Sequence, residues 1–105
     1  MVRMMKERDR MKKYFVASLI KNGILGGGIF VDSDAVIYKT GKVTVSEKYR
    51  NLVMKYEDIS EISKGNFLFM PTVSIKMKNG EEHKFIIFFG IERFMNLVKE
   101  NGAEI

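Results

Sequence analysis

Cysteine is absent from this 105-residue chain, and histidine and proline occur once each, as His83 and Pro71. Without cysteine there is no disulfide and no thiolate metal site, a composition that suits a reducing cytoplasm. A zinc site needs several His, Cys or carboxylate ligands converging, and a Ser–His–Asp or Cys–His arrangement needs its histidine or cysteine held by partners. His83, beside Glu81 and Glu82 at a hairpin end, reads as an exposed or half-buried structural residue. An enzyme is the least supported class, and neither cofactor nor metal is expected.

A long uninterrupted apolar run is also missing. Tyr14 to Val31 is mostly apolar behind a basic start, but Lys21 and Asn22 interrupt it and four glycines dilute it. A lysine at the centre of a membrane span costs about 2.5–3.5 kcal/mol, so the segment reads as two strands rather than a signal peptide or a span.

The net charge is +5, and it is unevenly spread. Residues 1–22 hold Arg3, Lys6, Arg8, Arg10, Lys12, Lys13 and Lys21 against Glu7 and Asp9, so the rest of the chain is neutral overall. No broad basic face is implied, which weakens a nucleic-acid reading. Residues 1–13 form a Met-rich basic arm. Met1, Met4, Arg8, Met11 and Phe15 follow a helical spacing, so the arm reads either as a solvated extension or as a short amphipathic helix.

Residues 14–105 carry dense strand signals. Phe15–Ile20, Ile24–Val31, Ala35–Thr40, Tyr49–Tyr56 and Ile59–Ser63 are the first five, with Val43-Thr44-Val45 able to extend the pairing. Lys64-Gly65-Asn66 and Pro71 mark a loop before the sixth. Val73, Ile75 and Met77 alternate with Ser74, Lys76 and Lys78, the period of a strand with one buried face. Asn79-Gly80 predicts a type I′ turn, and His83–Phe89 returns as the seventh strand. Gly90–Asn101 reads as a helix: Ile91, Phe94, Met95 and Val98 fall on one stripe and Gly102 supplies the stop. The glycines at 26, 27 and 28 lie inside a strand, where glycine marks a sharp bend or a close backbone approach. They are followed by a strand, not by the helix that a phosphate-cradling loop requires. Asp32/Asp34 and Glu57/Asp58 fall in turns, where they are solvated and serve the turn itself.

This order of elements resembles the GRAM branch of the pleckstrin-homology superfamily and similar small bacterial domains. The resemblance rests on Gly28 to Tyr38 (strand, acidic turn, strand), on Leu52 to Ile62 with its Tyr56-Glu57-Asp58-Ile59 corner, on the Val73 to Phe89 hairpin and on the Ile91 to Val98 helix. It spans about residues 14–101. It implies a mainly β fold: a bent antiparallel sheet, or partly open barrel, of about seven strands capped by one C-terminal helix. It also implies a non-catalytic binding or scaffolding module for anionic lipid headgroups or for a peptide or protein partner. Lipid-binding members place basic residues around the loop joining the first two strands; here that loop offers Lys21.

Two groups of residues are candidate contacts. Lys21, Lys39, Lys42, Lys48 and Arg50 read either as a cationic edge for a phosphate or headgroup or as solvated strand-edge charges. The segment Asn66–Met70 is read first as core; exposed, its Phe67 and Phe69 would mark a membrane or partner contact together with Arg3, Lys6, Arg8, Arg10, Lys12 and Lys13. The leading expectation is a binding module at the inner membrane surface, not a transmembrane protein. A homo-oligomeric interaction domain is the alternative, and nucleic-acid binding through the arm the third.

Overall fold

In the computed structural model, residues 13–42 and 46–101 are described. The strands are β1 (Tyr14–Ile20), β2 (Ile24–Val31), β3 (Ala35–Lys39), β4 (Asn51–Lys55), β5 (Ile59–Phe67), β6 (Met70–Met77) and β7 (Glu82–Ile86). They form one antiparallel sheet in the order β4-β3-β2-β1-β7-β6-β5. A helical turn, α1 (Glu47–Arg50), precedes β4, and the helix α2 (Ile91–Glu100) follows β7. The sheet curls as a half-barrel around one core, and α2 plugs it. Phe94 and Val98 are buried, and Phe94 meets Phe15 of β1 edge to face, with ring centroids 5.5 Å apart. The expected mainly β fold with one C-terminal helix is therefore present.

Alternation builds the core. Phe15, Ala17 and Leu19 of β1 point inward with Val36 and Tyr38 of β3, Leu52 and Met54 of β4, and Val73 and Ile75 of β6. Close approach explains the glycines of β2. A Cβ on Gly27 would stand 2.3 Å from the Lys39 carbonyl oxygen, and one on Gly28 would stand 2.4 Å from the Tyr14 hydroxyl. The Tyr38 ring packs over Gly27, and its hydroxyl donates to the Leu25 carbonyl at 2.6 Å.

Several local expectations are corrected. The hairpin at Asn79-Gly80 is not type I′, because Gly80 has a positive φ (97°) and Asn79 does not. The Gly80 N–H donates to Met77 O, and the Met77 N–H donates to Glu81 O, the pattern of a turn closed by a glycine bulge. Residues 47–50 are helical, so the fourth strand starts at Asn51 rather than Tyr49. Lys64-Gly65-Asn66 is not a loop, since β5 runs through it to Phe67. Pro71 sits at the start of β6, where a missing N–H is tolerated. Its carbonyl accepts from the Ile87 N–H at 3.1 Å. The seventh strand stops at Ile86, not Phe89. The Val43–Val45 extension, the arm helix over residues 1–12 and the Gly102 stop lie outside the described residues.

Candidate functional site

The β1–β2 loop, α1 and the β6–β7 turn gather polar side chains at the end of the barrel away from α2. Lys21 and Lys48 both approach the Tyr49 ring, with Nζ 5.2 Å and 5.6 Å from its centroid, within cation–π range. Lys48 also pairs with Glu81. Behind them is a recess of about 170 Å³ lined by Leu19, Ile20, Lys21, Tyr49, Glu81, Glu82 and His83. His83 is 5% exposed, more buried than expected, because Tyr49 packs against its ring. Burial pushes its imidazole below the ordinary value, partly opposed by Glu81, whose carboxylate lies 3.7 Å from Nε2. Lys48 is held above its usual range, and Glu81 below its own, by the hydrogen bond between them.

Of the other cations in that group, Lys39 lies on the outer sheet face, its Nζ 5.9 Å from the Phe30 ring centroid. Arg50 pairs with Glu47 at 3.8 Å, and its Nε is buried with no hydrogen-bond partner among the described residues. Lys42 is exposed beyond Thr40, whose hydroxyl accepts from the Lys42 N–H. Lys21 and Lys48 are thus brought together at Tyr49, with Lys39 on a different face.

Aromatic side chains gather at the α2 end. The β5–β6 hairpin turns through Leu68 and Phe69, and the chain leaves β7 through Phe88 and Phe89. Phe69 is 99% exposed, Phe89 85%, Leu68 76%, Phe88 58% and Phe67 38%. The reading of Asn66–Met70 as core is overturned, because a two-residue hairpin tip projects past the sheet and has nothing to pack against. The two segments are neighbours, since the Ile87 N–H bonds to Pro71 O and thereby sets Phe88 beside Met70. The start of β1 is close by. A Cβ on Gly90 would lie 3.2 Å from the Phe15 ring, and the Arg93 guanidinium stands 4.9 Å from the same ring. Lys13, two residues before Phe15, enters the fold at this end, its carbonyl accepting from the Val31 N–H at 2.9 Å. Arg3, Lys6, Arg8, Arg10 and Lys12 lie outside the described residues.

Phe88 and Phe89 escaped the sequence reading. The signal was the unbroken apolar run Phe85–Phe89, which a two-faced strand cannot bury by alternation. Phe85, Ile86 and Ile87 are buried and the last two are not. Among the described residues no group of three or more metal-ligating side chains converges, and no helix is long and apolar enough to cross a membrane.

No curated protein matches the sequence. Among solved structures, the chain is similar to the C-terminal domain of an unknown protein from Leishmania infantum, at a TM-score of 0.70 and 9% identity over 92% of this chain and 96% of that one. At that identity the likeness concerns the fold alone. The sequence profile of the GRAM domain matches residues 1–101. That family consists of binding modules for membranes, lipids or proteins, and this chain belongs to it.

Proposed function

We propose that the domain docks peripherally on an anionic membrane surface, aromatic end first. One observation carries the reading: Phe67, Leu68, Phe69, Phe88 and Phe89 are all exposed on adjoining segments, beside the point where the basic arm joins the fold. Monomeric soluble domains rarely leave such a cluster in water unless it meets a partner or a membrane. Each large apolar side chain that leaves water gains roughly 1.5–3 kcal/mol when fully buried. Each Lys or Arg close to an anionic leaflet adds about 1 kcal/mol, and residues 1–22 hold the whole net charge of +5. The two contributions suit each other: charge draws the domain to the surface, and the rings hold it there. Protruding, loosely packed rings fit a fluid phase, which needs no shape complementarity. The cytoplasmic leaflet, where anionic lipids reside, is the surface this reading names.

Flotation with phosphatidylcholine vesicles, with and without phosphatidylserine, tests it. The full chain should float with the anionic vesicles only. The double variant Phe69→Ser, Phe89→Ser should bind at least about tenfold more weakly, a loss of about 1.4 kcal/mol, at unchanged thermal stability, since both rings are almost fully exposed. Equal flotation of wild type and double variant would refute the reading. A single self-associated species in light scattering, dispersed by the same substitutions, would assign the rings to a dimer contact instead.

A further inference from the structure

We infer that the outer face of β1–β4 is a second, separate docking surface, made for an acidic amphipathic protein segment. The register places Tyr14 opposite Phe30, Phe30 opposite Ile37 and Ile37 opposite Val53. Cross-strand partners share a face, so these four side chains form one apolar row across four strands. The row is in contact with water: Tyr14 is 42% exposed, Phe30 41% and Val53 47%, with Val16 (71%) and Ile24 (50%) on the same face. It is about 14 Å long at the usual strand spacing, the length of roughly ten residues of α-helix. Beside it a cleft of about 460 Å³ is lined by Lys13, Phe30, Val31, Asp32, Ile37 and Lys39. The floor toward Gly26 is bare, because a Cβ there would meet nothing within 4 Å.

Charge selects the occupant. Of the side chains that β1–β4 turn outward, the charged ones are Lys39 and Lys55, both exposed, and none is acidic. Asp32, at the cleft edge, accepts the Ser33 N–H at 2.9 Å and is the one carboxylate in the cleft lining, against Lys13 and Lys39. An apolar row along which Lys13, Lys39 and Lys55 outnumber the one carboxylate of the cleft, Asp32, is complementary to a helix with an apolar stripe and carboxylates along its margins. A second copy of the chain fits worse, because a two-fold contact sets a patch against itself and would oppose lysine to lysine. A membrane also fits worse. The row is flat, with Tyr14 and Phe30 packed together at 4.9 Å between centroids, whereas the rings at the α2 end stand free.

The test uses the full chain and two synthetic peptides of equal length. Each has leucine at i, i+3, i+4 and i+7; one carries glutamate and the other lysine on the remaining face. The glutamate peptide should bind and perturb the backbone amide resonances of Phe30, Ile37 and Val53, while the lysine peptide should not. The double variant Lys39→Glu, Lys55→Glu should weaken the glutamate peptide at least tenfold and admit the lysine peptide. Gly26→Phe has room for its side chain and should obstruct the face while leaving the thermal transition intact. Phe69→Ser should leave peptide binding unchanged, which separates this surface from the membrane-docking end. The inference is overturned if the glutamate peptide fails to bind, if both peptides bind alike, if the perturbed amides are those of residues 67–69 and 88–89, or if phosphatidylserine vesicles perturb Phe30 and Val53.

Discussion

Gly26, Gly27 and Gly28 are adjacent in sequence but face three different surroundings. Open space lies above Gly26, the Lys39 carbonyl above Gly27 and the far end of the Tyr14 side chain above Gly28. A glycine inside a strand costs roughly 0.5–1 kcal/mol relative to alanine, so Gly26→Ala is expected to stabilise the domain by that amount. Gly27→Ala presses a methyl group onto backbone that cannot yield, and overpacking of this kind typically costs about 1–3 kcal/mol. Urea unfolding of the two variants should therefore give shifts of opposite sign. The glycine run announced close approach, but which glycine needed it depends on the Tyr38 and Tyr14 rings from other strands, and that placement is tertiary. His83 shows the same limit. Its neighbours in sequence are charged, which suggested an exposed or half-buried ring, yet Tyr49 from α1 covers it. Burial lowers its pKa, so the folded state binds fewer protons than the unfolded state as pH falls. The neutral ring's contribution is fully present above the unfolded value near 6.5 and is lost as pH drops through the lower folded value. Glu81 beside the ring opposes the shift, while Lys48 and Lys21 act with burial. Thermal stability of the wild type is expected to fall across that window, and His83→Phe should flatten that part of the profile; a slope unchanged by the substitution would assign the effect to other groups.

At the scale of the element, the amphipathic helix and the Val73–Met77 strand were legible because one periodicity decides each of them. The tip of the β5–β6 hairpin was not. Leu68 holds a φ of +58°, a conformation that bulky side chains avoid, in a two-residue turn whose first central position favours glycine. Sequence rules place glycine or asparagine there, so a leucine at the tip read as strand interior. Strain of this sort costs about 1–3 kcal/mol and tends to persist where a site needs a particular side chain. Leu68→Gly is accordingly expected to raise the unfolding free energy by about 1 kcal/mol while weakening flotation with anionic vesicles. A variant gaining stability and keeping full vesicle binding would show that Leu68 plays no part in docking. The end of β7 was not legible either: the Ile87 N–H still bonds to Pro71 O, but the strand ends at Ile86 and Phe88 and Phe89 leave the sheet toward α2.

Over the whole molecule, the asymmetry of charge was legible from the first residues, whereas the asymmetry of apolar exposure was not, because it arises from where the hairpin tip, the β7 exit and the β1 entry meet. Together they give the domain a direction, with Lys13, Arg93 and the free rings at the α2 end, Lys21, Lys48 and Tyr49 at the other, and a flat apolar face along the side. That direction can be measured cleanly because the chain contains no tryptophan. Phe69→Trp and Val53→Trp each introduce a single fluorophore at an exposed site, one at the tip and one on the outer sheet face. With phosphatidylserine vesicles, emission from position 69 should shift to the blue and resist aqueous quenchers, while emission from position 53 should stay that of a solvated indole. Rising salt should weaken vesicle binding as the arm is screened beyond a Debye length of about 8–10 Å, but the blue shift of the molecules that remain bound should persist, because ring insertion is not electrostatic. A blue shift at position 53 and none at 69 would turn the domain on its side, with the sheet face rather than the aromatic end against the lipid.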